Sequence, residues 1–190
     1  MATFRLTAVM KEDVPAASIE EFASIVRLYR PKVFRFALAS LRDRDGADSV
    51  TQDCFLKAYK AWKTFRQDCS IDTWLMQIAV NLVRDHLRNR RLRFWRRVRL
   101  TAKPVESISD WFRNGESSAE TQALLKEQVE AVWDAAGNLP ERQRTVFLLR
   151  FVEDMDLLEI AAATGMKEGT VKAHLFRALK AIRERLGARK

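Results

Sequence analysis

Residues 70–93 carry a stripe of side chains whose chemistry suits contact with nucleic acid. The stripe recurs at three- and four-residue spacing and consists of Gln77, Asn81, Arg84 and Arg88. Its amide groups can read base edges and its guanidinium groups can hold phosphates, while Trp74, one turn earlier, offers a ring on which a base can stack. An ordinary solvated helix face has the same composition, so the interpretation depends on the rest of the chain.

A helix must position this stripe, because an apolar stripe runs along the other side of the same segment. The apolar positions are Leu75, Ile78, Ala79, Leu82 and Val83. This spacing predicts one long amphipathic helix that packs against other helices. Only 4 Pro and 6 Gly punctuate the chain, and no stretch of alternating Val, Ile and Thr predicts a strand. We therefore predict an all-α fold.

Hydrophobic periodicity divides the chain into two small helical domains joined by a linker. Residues 1–17 show no period and predict a mobile N-terminal arm. Helical periods run through residues 18–93, which predict the first domain, and resume in residues 118–190, which predict the second. Residues 94–117 lack a sustained period, which predicts an inter-domain linker.

The pattern also predicts local features inside both domains. Pro31 is expected to break or kink the first helix, and residues 42–46 are expected to form a turn before the next one. In the second domain, Phe151 and Leu158 fall in apolar stripes and are expected to face the core. Trp62 is expected to pack on the first helix.

The second domain contains the signature of a helix-turn-helix. Asp156 can cap a short helix, Gly165 permits a tight turn, and a basic helix is predicted over residues 170–181. Inward packing of the apolar side of that helix leaves another side to meet a DNA major groove. The side chains on that side are Lys172, Ala173, His174, Phe176 and Arg177.

The positive charge of the chain is concentrated in two segments. The net charge is +9 and the isoelectric point is about 9.9. Residues 84–103 hold eight Arg and one Lys against Asp85, and residues 170–190 hold seven basic residues against Glu184. Two basic segments on an otherwise mildly acidic chain predict a polyanion that is held at two places.

The remaining composition excludes several protein classes. No run of about eighteen apolar residues and no secretory signal is present, which predicts a cytoplasmic protein without membrane insertion. Cys54 and Cys69 are too few for a disulfide framework, and neither has a partner at metal-ligand spacing. There is no Gly-rich phosphate loop that ends in Lys-Ser or Lys-Thr. We expect no metal and no other cofactor.

Two long motifs resemble the extracytoplasmic-function sigma factors of bacterial RNA polymerase, in the sigma-70 family. DSVTQDCFLKAYKAWKTFR followed by TWLMQIAVNLVRDHLRNRR resembles their first structured domain. LPERQRTVFLLRFVEDMDLLEIAAATGMKEGTVKAHLFRA resembles their second. The likeness covers nearly everything from Phe22 to Leu186, with both motifs in the family's order and separation, which makes the match specific.

The resemblance implies that the first domain opens and reads the minus-ten promoter element and captures an unstacked base of the non-template strand. Carried over by position, the residues expected to do so are Phe65, Arg66, Trp74, Asn81 and Arg84, and the polar stripe adds Gln77 to them. The residues expected to hold the DNA backbone are Arg88, Arg90 and Arg91.

The resemblance also implies contacts with core RNA polymerase. The surface expected to dock on the coiled coil of the β′ subunit consists of Asp48, Ser49, Gln52 and Asp53. The family commonly has an acid where Ser49 stands, so one charge-assisted contact is expected to be missing. The second domain is expected to read the minus-thirty-five element in duplex DNA while it sits on the β-subunit flap. An anti-sigma protein is expected to hold the factor inactive.

The reading positions of the second domain depart from the family pattern. Ala173 and His174 stand where the family often has Ser-Arg. Alanine cannot donate a hydrogen bond from its side chain, and a neutral imidazole has one donor. We therefore expect the upstream specificity to differ from the commonest one.

Together these features predict a sigma factor, a non-enzymatic subunit that directs core RNA polymerase to specific promoters and uses binding energy to help melt them. The alternative is a helix-turn-helix regulator that binds duplex operators without core polymerase, which leaves the basic helix with Trp74 unexplained. A nuclease or deaminase is disfavoured, because His86 and His174 lie in different predicted domains without a Cys pair or clustered acids nearby.

Overall fold

The computed structural model describes residues 16–65, 68–96 and 119–188, and within them the side chains of residues 20–65, 68–90 and 127–188. The described residues form seven α-helices and one short 3-10 helix, Trp62–Thr64, with no strand among them, which confirms the all-α prediction. The α-helices are α1 (Ala16–Leu41), α2 (Arg44–Ala61), α3 (Ile71–Arg96), α4 (Ala119–Gly137), α5 (Glu141–Phe151), α6 (Leu157–Thr164) and α7 (Glu168–Gly187).

The helices pack as a first unit, α1 to α3, and a second unit, α4 to α7, which contact each other. Most of the predicted N-terminal arm and of the predicted linker lies outside the described residues, which begin at residue 16 and leave out residues 97–118. The predicted domain boundaries therefore stay predictions.

The first unit encloses an apolar core between its three helices. The spacing that predicted the buried side of α3 is confirmed, because Leu75, Ala79 and Val83 are almost fully buried. Met76 and Val80 are buried as well. The buried stripe of α3 is wider than predicted because α6 of the second unit packs on this helix in addition to α1 and α2.

The connection between α1 and α2 is tighter than the sequence predicted. Helix α1 continues through Pro31 instead of ending there, because the apolar positions on both sides of the proline serve the same core. The turn predicted over residues 42–46 is wrong in extent, since α2 already begins at Arg44. Arg42 adopts a left-handed conformation with a φ of 51°, which helps to reverse the chain between the two helices.

The second unit has the predicted helix-turn-helix, formed by α6 and α7. Asp156 and Glu159 cap the start of α6 reciprocally, because each carboxylate accepts a hydrogen bond at 2.8 Å from the backbone N–H of the other. Gly165 ends α6 with a φ of 70°, a conformation that glycine adopts without strain. The side chains of α7 that are buried, as predicted, are Val171, Ala178 and Ile182.

Two predictions for the core of the second unit are wrong: Phe151 is 54% exposed and Leu158 is 66% exposed. Phe151 is the last residue of α5, where its ring packs on that of Phe147 at 5.0 Å between centroids and otherwise meets solvent. Leu158 is two residues, and thus about 200° around α6, from Ile160. Because Ile160 is fully buried, Leu158 faces away from the core.

A partly buried ion pair joins the two units. The guanidinium group of Arg35 in α1 donates from Nε to Oε1 of Glu153 at 3.1 Å and from Nη2 to Oε2 at 2.7 Å. Glu153 follows α5, and its side chain is fully buried. Burial raises the pKa of this carboxyl group, while Arg35 opposes the rise. Lys32 and Asp72 form a second ion pair close by, with Nζ and Oδ2 2.5 Å apart.

Arg42 makes the second junction between the units. Its guanidinium group donates to the carbonyl oxygen of Trp133 in α4. A Cβ on Gly137 would overlap the Arg42 guanidinium group, so a side chain there would displace this group from its present position. Arg144 and Arg185 also donate to carbonyl groups in the last turn of α4. Three guanidinium groups thus satisfy carbonyl groups at the negative end of this helix.

Candidate nucleic-acid interface

The polar stripe of α3 lies on the surface. Its predicted members are all exposed: Gln77, Asn81, Arg84 and Arg88. Arg84 Nη1 lies 3.4 Å from Oδ1 of Asn81, and Arg88 forms an ion pair with Asp85 at 3.0 Å. Arg90, farther along the helix, is exposed as well. These contacts hold the guanidinium groups along the helix surface, where a phosphate can still reach them.

Three half-buried aromatic rings meet at the N-terminal end of α3, and we call Trp62, Phe65 and Trp74 the aromatic cluster. Phe65 stacks on Trp74 with ring centroids 4.5 Å apart and planes at 26°. Trp62 stacks on Phe65 at 5.9 Å and 18°, and its centroid lies 6.2 Å from that of Trp74. The structure thus brings together two residues that the resemblance singled out and adds Trp62 to them.

The local backbone places these rings. Trp62 begins the 3-10 helix, and its carbonyl oxygen accepts from the N–H of Phe65 at 3.2 Å. Ser70 caps α3, because its side-chain oxygen accepts from the N–H of Thr73 at 3.1 Å. The N–H of Trp74 donates to the Ser70 carbonyl oxygen at 3.0 Å, so Trp74 belongs to the first turn of α3.

Two members of the predicted minus-ten set cannot be placed. Arg66, in the loop before α3, lies outside the described residues. The backbone of Arg91 is part of α3, but its side chain lies outside the described side chains.

The polar face of α2 lies on the outside of the first unit. Ser49, Gln52 and Asp53 are exposed, and Asp48 is half-buried. Asp48 Oδ1 lies 3.9 Å from Nη2 of Arg30, so its charge is partly compensated within the chain. Asp53 presents its carboxylate to solvent. A cleft of about 440 Å³ separates Ser49 on this face from Arg90 on α3.

The predicted DNA-reading side chains of α7 are less uniformly exposed than those of α3. Lys172, Phe176 and Arg177 are exposed, with Phe176 at 70%, whereas Ala173 and His174 are half-buried. Lys172 Nζ pairs with Glu168 Oε1 at 2.6 Å one turn earlier. Burial lowers the pKa of His174, and the positive charges of Arg177 and Arg142 lower it further. His174 is therefore neutral at pH 7 and has one hydrogen-bond donor.

Other chemistry is limited in the part of the chain that the structure describes. Among these residues there is no group of three or more His, Cys, Asp or Glu side chains that could hold a metal ion. None of the described helices has both the length and the apolar character needed to cross a membrane. Cys54 is fully buried, and this burial raises the pKa of its thiol to about 12.

Both units match known protein families. Residues 25–93 match Sigma-70 region 2, and residues 130–182 match Sigma-70, region 4. The chain is 32% identical over 174 residues to the RNA polymerase sigma-H factor of Pseudomonas aeruginosa, which covers 90% of this chain and 89% of that relative. It is 31% identical over 180 residues to the ECF RNA polymerase sigma-E factor of Escherichia coli strain K12, with 92% and 91% covered. The chain belongs to the extracytoplasmic-function group of the sigma-70 family.

The fold of this sigma factor also resembles a solved structure. The sigma factor RpoE from Bartonella quintana, crystallised in complex with the anti-sigma factor NepR, matches with a TM-score of 0.70. The match covers 90% of this chain and 99% of that chain at 20% identity, and it supports the fold alone. Membership of the family confirms the predicted sigma factor over the operator-binding regulator, and it confirms that the protein is a non-enzymatic factor of transcription initiation.

Proposed function

We propose that this sigma factor directs core RNA polymerase to a specific set of promoters and helps to melt them, with α3 acting on the minus-ten element and α7 on the minus-thirty-five element. The observation that carries the proposal is the aromatic cluster at one end of the exposed amide and guanidinium stripe of α3. Rings and amide groups on one helix suit an unstacked base, which offers its faces for stacking and its edges for hydrogen bonds. A base inside an intact duplex offers no face.

The residues of the first unit divide into two roles. Phe65 and Trp74 stack on the extruded base, and the hydrogen-bonding groups that read its edge are Arg66, Gln77, Asn81 and Arg84. Extrusion of a base costs a few kcal/mol, and stacking on aromatic side chains contributes about 1–3 kcal/mol per base. Binding can therefore offset the cost without nucleotide hydrolysis. The residues that hold the DNA backbone, with little choice of sequence, are Arg88, Arg90 and Arg91.

Helix α7 reads the upstream element in duplex DNA. Arg177 reaches a base edge or phosphate, and the exposed ring of Phe176 can contact a thymine methyl group. Lys172 keeps its ion pair with Glu168 within the chain and so contributes less. Ala173 has no side-chain donor, and neutral His174 has one, so this helix prefers upstream base pairs other than those read by the family's common Ser-Arg pair.

The polar face of α2 docks on the coiled coil of the β′ subunit, and the second unit sits on the β flap. Asp53 and Asp48 supply charge at the α2 contact, whereas Ser49 and Gln52 supply neutral hydrogen bonds. An anti-sigma protein, as the family resemblance implies, holds the factor inactive; the sigma factor RpoE of Bartonella quintana was crystallised with such a protein. The factor acts in the cytoplasm, where its polymerase is.

Asn81→Ala tests the role of α3. We expect the variant to bind core polymerase normally and to form open complexes poorly, because its amide is lost from the base-reading stripe while the docking face of α2 is intact. Open-complex formation is measured with permanganate, and core binding by gel filtration. Asn89→Ala is the matched control, since Asn89 is an exposed asparagine of α3 outside the stripe. Equal loss of core binding and melting in Asn81→Ala would show that Asn81 is structural.

Gel filtration of the wild-type chain with core polymerase tests the proposal as a whole. We expect a one-to-one complex that occupies promoters, and no occupancy by the isolated chain. A chain that ignores core polymerase and occupies duplex sites by itself would overturn the proposed function.

A further inference from the structure

The rings of Phe65 and Trp74 are in direct contact, which leaves no room for a base between them. The ring centroids are 4.5 Å apart, and a base that lay between the rings would need two stacking layers, about 7 Å in total. An extruded base must therefore use the outer surface of the stack or displace one of its rings. What holds the two rings together then determines how readily they receive a base.

Of these two rings, Trp74 has the firmer attachment. It lies in the first turn of α3, which Ser70 caps. Phe65 lies after the 3-10 helix in an extended conformation, with φ and ψ of −67° and 114°. The N–H of Phe65 donates to the carbonyl oxygen of Trp62, three residues earlier, so Phe65 ends a 3-10 turn and is not held in an α-helix. The position of its ring depends on neighbouring rings.

Trp62 lies beside both rings of the stack, with its centroid 5.9 Å from that of Phe65 and 6.2 Å from that of Trp74. It is nearly parallel to Phe65, at 18°, and it also contacts Phe22 of α1 at 5.7 Å between centroids, with planes at 63°. Phe22 belongs to the core of the first unit and is 6% exposed. A continuous series of ring contacts therefore runs from this core through Trp62 to Phe65 and Trp74.

We propose that Trp62 is a positioning residue for base capture: its indole holds Phe65 on Trp74, so that the extruded promoter base meets an ordered stacking surface. This inference rests on the proposed function, because it assumes that Phe65 and Trp74 receive the base. A preordered surface raises affinity because the base does not have to order the rings as it binds. Trp62 itself need not touch the DNA.

The experiment compares the affinity of the holoenzyme for promoter DNA with an unpaired base and for the same DNA without that base. Holoenzyme is bound to fork-junction DNA with one unpaired base in the minus-ten element, and to the same DNA with an abasic site there. We expect the wild type to prefer the base by roughly ten-fold, within the range of one base–aromatic stack. Trp62→Leu should reduce that preference to about three-fold or less, with unchanged affinity for the abasic DNA.

Tyr59→Leu is the matched control. Tyr59 packs on the same Phe22 ring, at 5.2 Å and 64°, and belongs to α2 outside the aromatic cluster. A loss of core packing affects both variants, whereas a loss of positioning affects Trp62→Leu alone. Trp62→Phe keeps a ring and should restore most of the preference. Trp62→Met replaces Trp62→Leu if that variant folds poorly, as judged by thermal melting of the isolated sigma factor.

The outcomes separate this inference from the proposed function. An unchanged preference in Trp62→Leu, or an equal loss in Tyr59→Leu, overturns the positioning role of Trp62. Phe65→Ala and Trp74→Ala should abolish the preference whatever Trp62 does. If these two variants keep the full preference, base capture by the aromatic cluster is itself wrong, and the role of Trp62 in it falls too.

Discussion

Helices α3 and α7 both present basic, polar faces, but they are built into their units differently. Helix α3 packs on α1, α2 and α6, and a cluster of three half-buried rings stands at its start. Helix α7 follows a tight turn at Gly165 and carries one exposed ring, Phe176, with no described ring stacked on it. Supported rings suit an unstacked base, and an exposed helix face suits the groove of an intact duplex. This contrast supports our proposal that the first unit reads unstacked DNA and the second reads an intact duplex.

The charged groups of the two faces also make different contacts within the chain in the absence of DNA. On α7, the Lys172 ammonium is held by Glu168 at 2.6 Å, and His174 is neutral. On α3, the Arg84 guanidinium lies against the amide of Asn81 at 3.4 Å, which leaves its charge uncompensated by that contact. Each face therefore has one cation held in an ion pair, Arg88 with Asp85 on α3 and Lys172 with Glu168 on α7, whereas none of the described ion pairs involves Arg84 or Arg177.

The largest expected effect is on stability, and it concerns the ion pair between Arg35 and Glu153 that joins the two units. Arg35→Met leaves Glu153 buried without its partner, so we expect the free energy of unfolding to fall by about 3 kcal/mol in urea denaturation of the full chain. Arg35→Met combined with Glu153→Met should recover most of this loss, since an apolar pair needs no charge compensation. An unchanged free energy of unfolding in Arg35→Met would show that this ion pair does not stabilise the junction between the units.

A smaller effect sharpens the contrast in DNA readout. Arg177→Ala should weaken holoenzyme binding to the upstream element by roughly ten-fold, equivalent to the low end of about 1–3 kcal/mol per base contact. Lys172→Ala should cost less, because its ion pair with Glu168 is lost in the same step. Neither variant should alter the preference for a base over an abasic site in the minus-ten element. Such a change would mean that the two faces do not act separately.

A further variant separates backbone contacts from base contacts on α3. Arg90→Gln combined with Arg91→Gln should weaken binding at every promoter and reduce the slope of log affinity against log salt by about 0.9 for each lost phosphate contact. The comparison is made by titrating several promoters at a series of salt concentrations. A loss confined to one promoter sequence contradicts the assignment of these residues to the DNA backbone.

A chemical measurement reports on the first unit alone. Cys54 Sγ lies 3.6 Å from the Leu75 carbonyl oxygen in the core between α2 and α3. Because burial raises its pKa from 9.0 to about 12, the native thiol stays neutral at pH 8. In a Cys69→Ser background, alkylation of the native chain should be about a thousand-fold slower than that of the unfolded chain.

The pH dependence of this thiol has a definite sign. The neutral form is favoured by burial, so its stabilisation is complete below the ordinary pKa of 9.0 and is lost as the pH rises through about 12. Fast alkylation of native Arg177→Ala, but not of the wild type, would show that a change in the second unit opens the first.

Much of the fold was predictable because it depends on spacing within single helices. Leu75, Ala79 and Val83 share one side of α3 whatever packs on it, and the cap formed by Asp156 and Glu159 joins residues one turn apart. The failures have a different origin. Phe151 and Leu158 continue apolar stripes, but whether an apolar side chain is buried depends on which element covers it.

The candidate site was predictable to a similar degree. The stripe of α3 follows from helical periodicity, and the resemblance supplied Phe65 as well as Trp74. The part played by Trp62 was missed, because its spacing in α2 indicated core packing, and it does pack on Phe22. Only the folded structure shows that the same ring also meets Phe65 and Trp74.

The sequence by itself determined the helices, the two basic faces and the family, because each follows from residues close together in the chain. Tertiary structure alone decided the contacts between distant segments, such as Arg35 with Glu153 and Arg42 with the end of α4. The reason is physical: a charged side chain has many possible partners along the chain, and only the packing of the helices selects one of them and removes it from water.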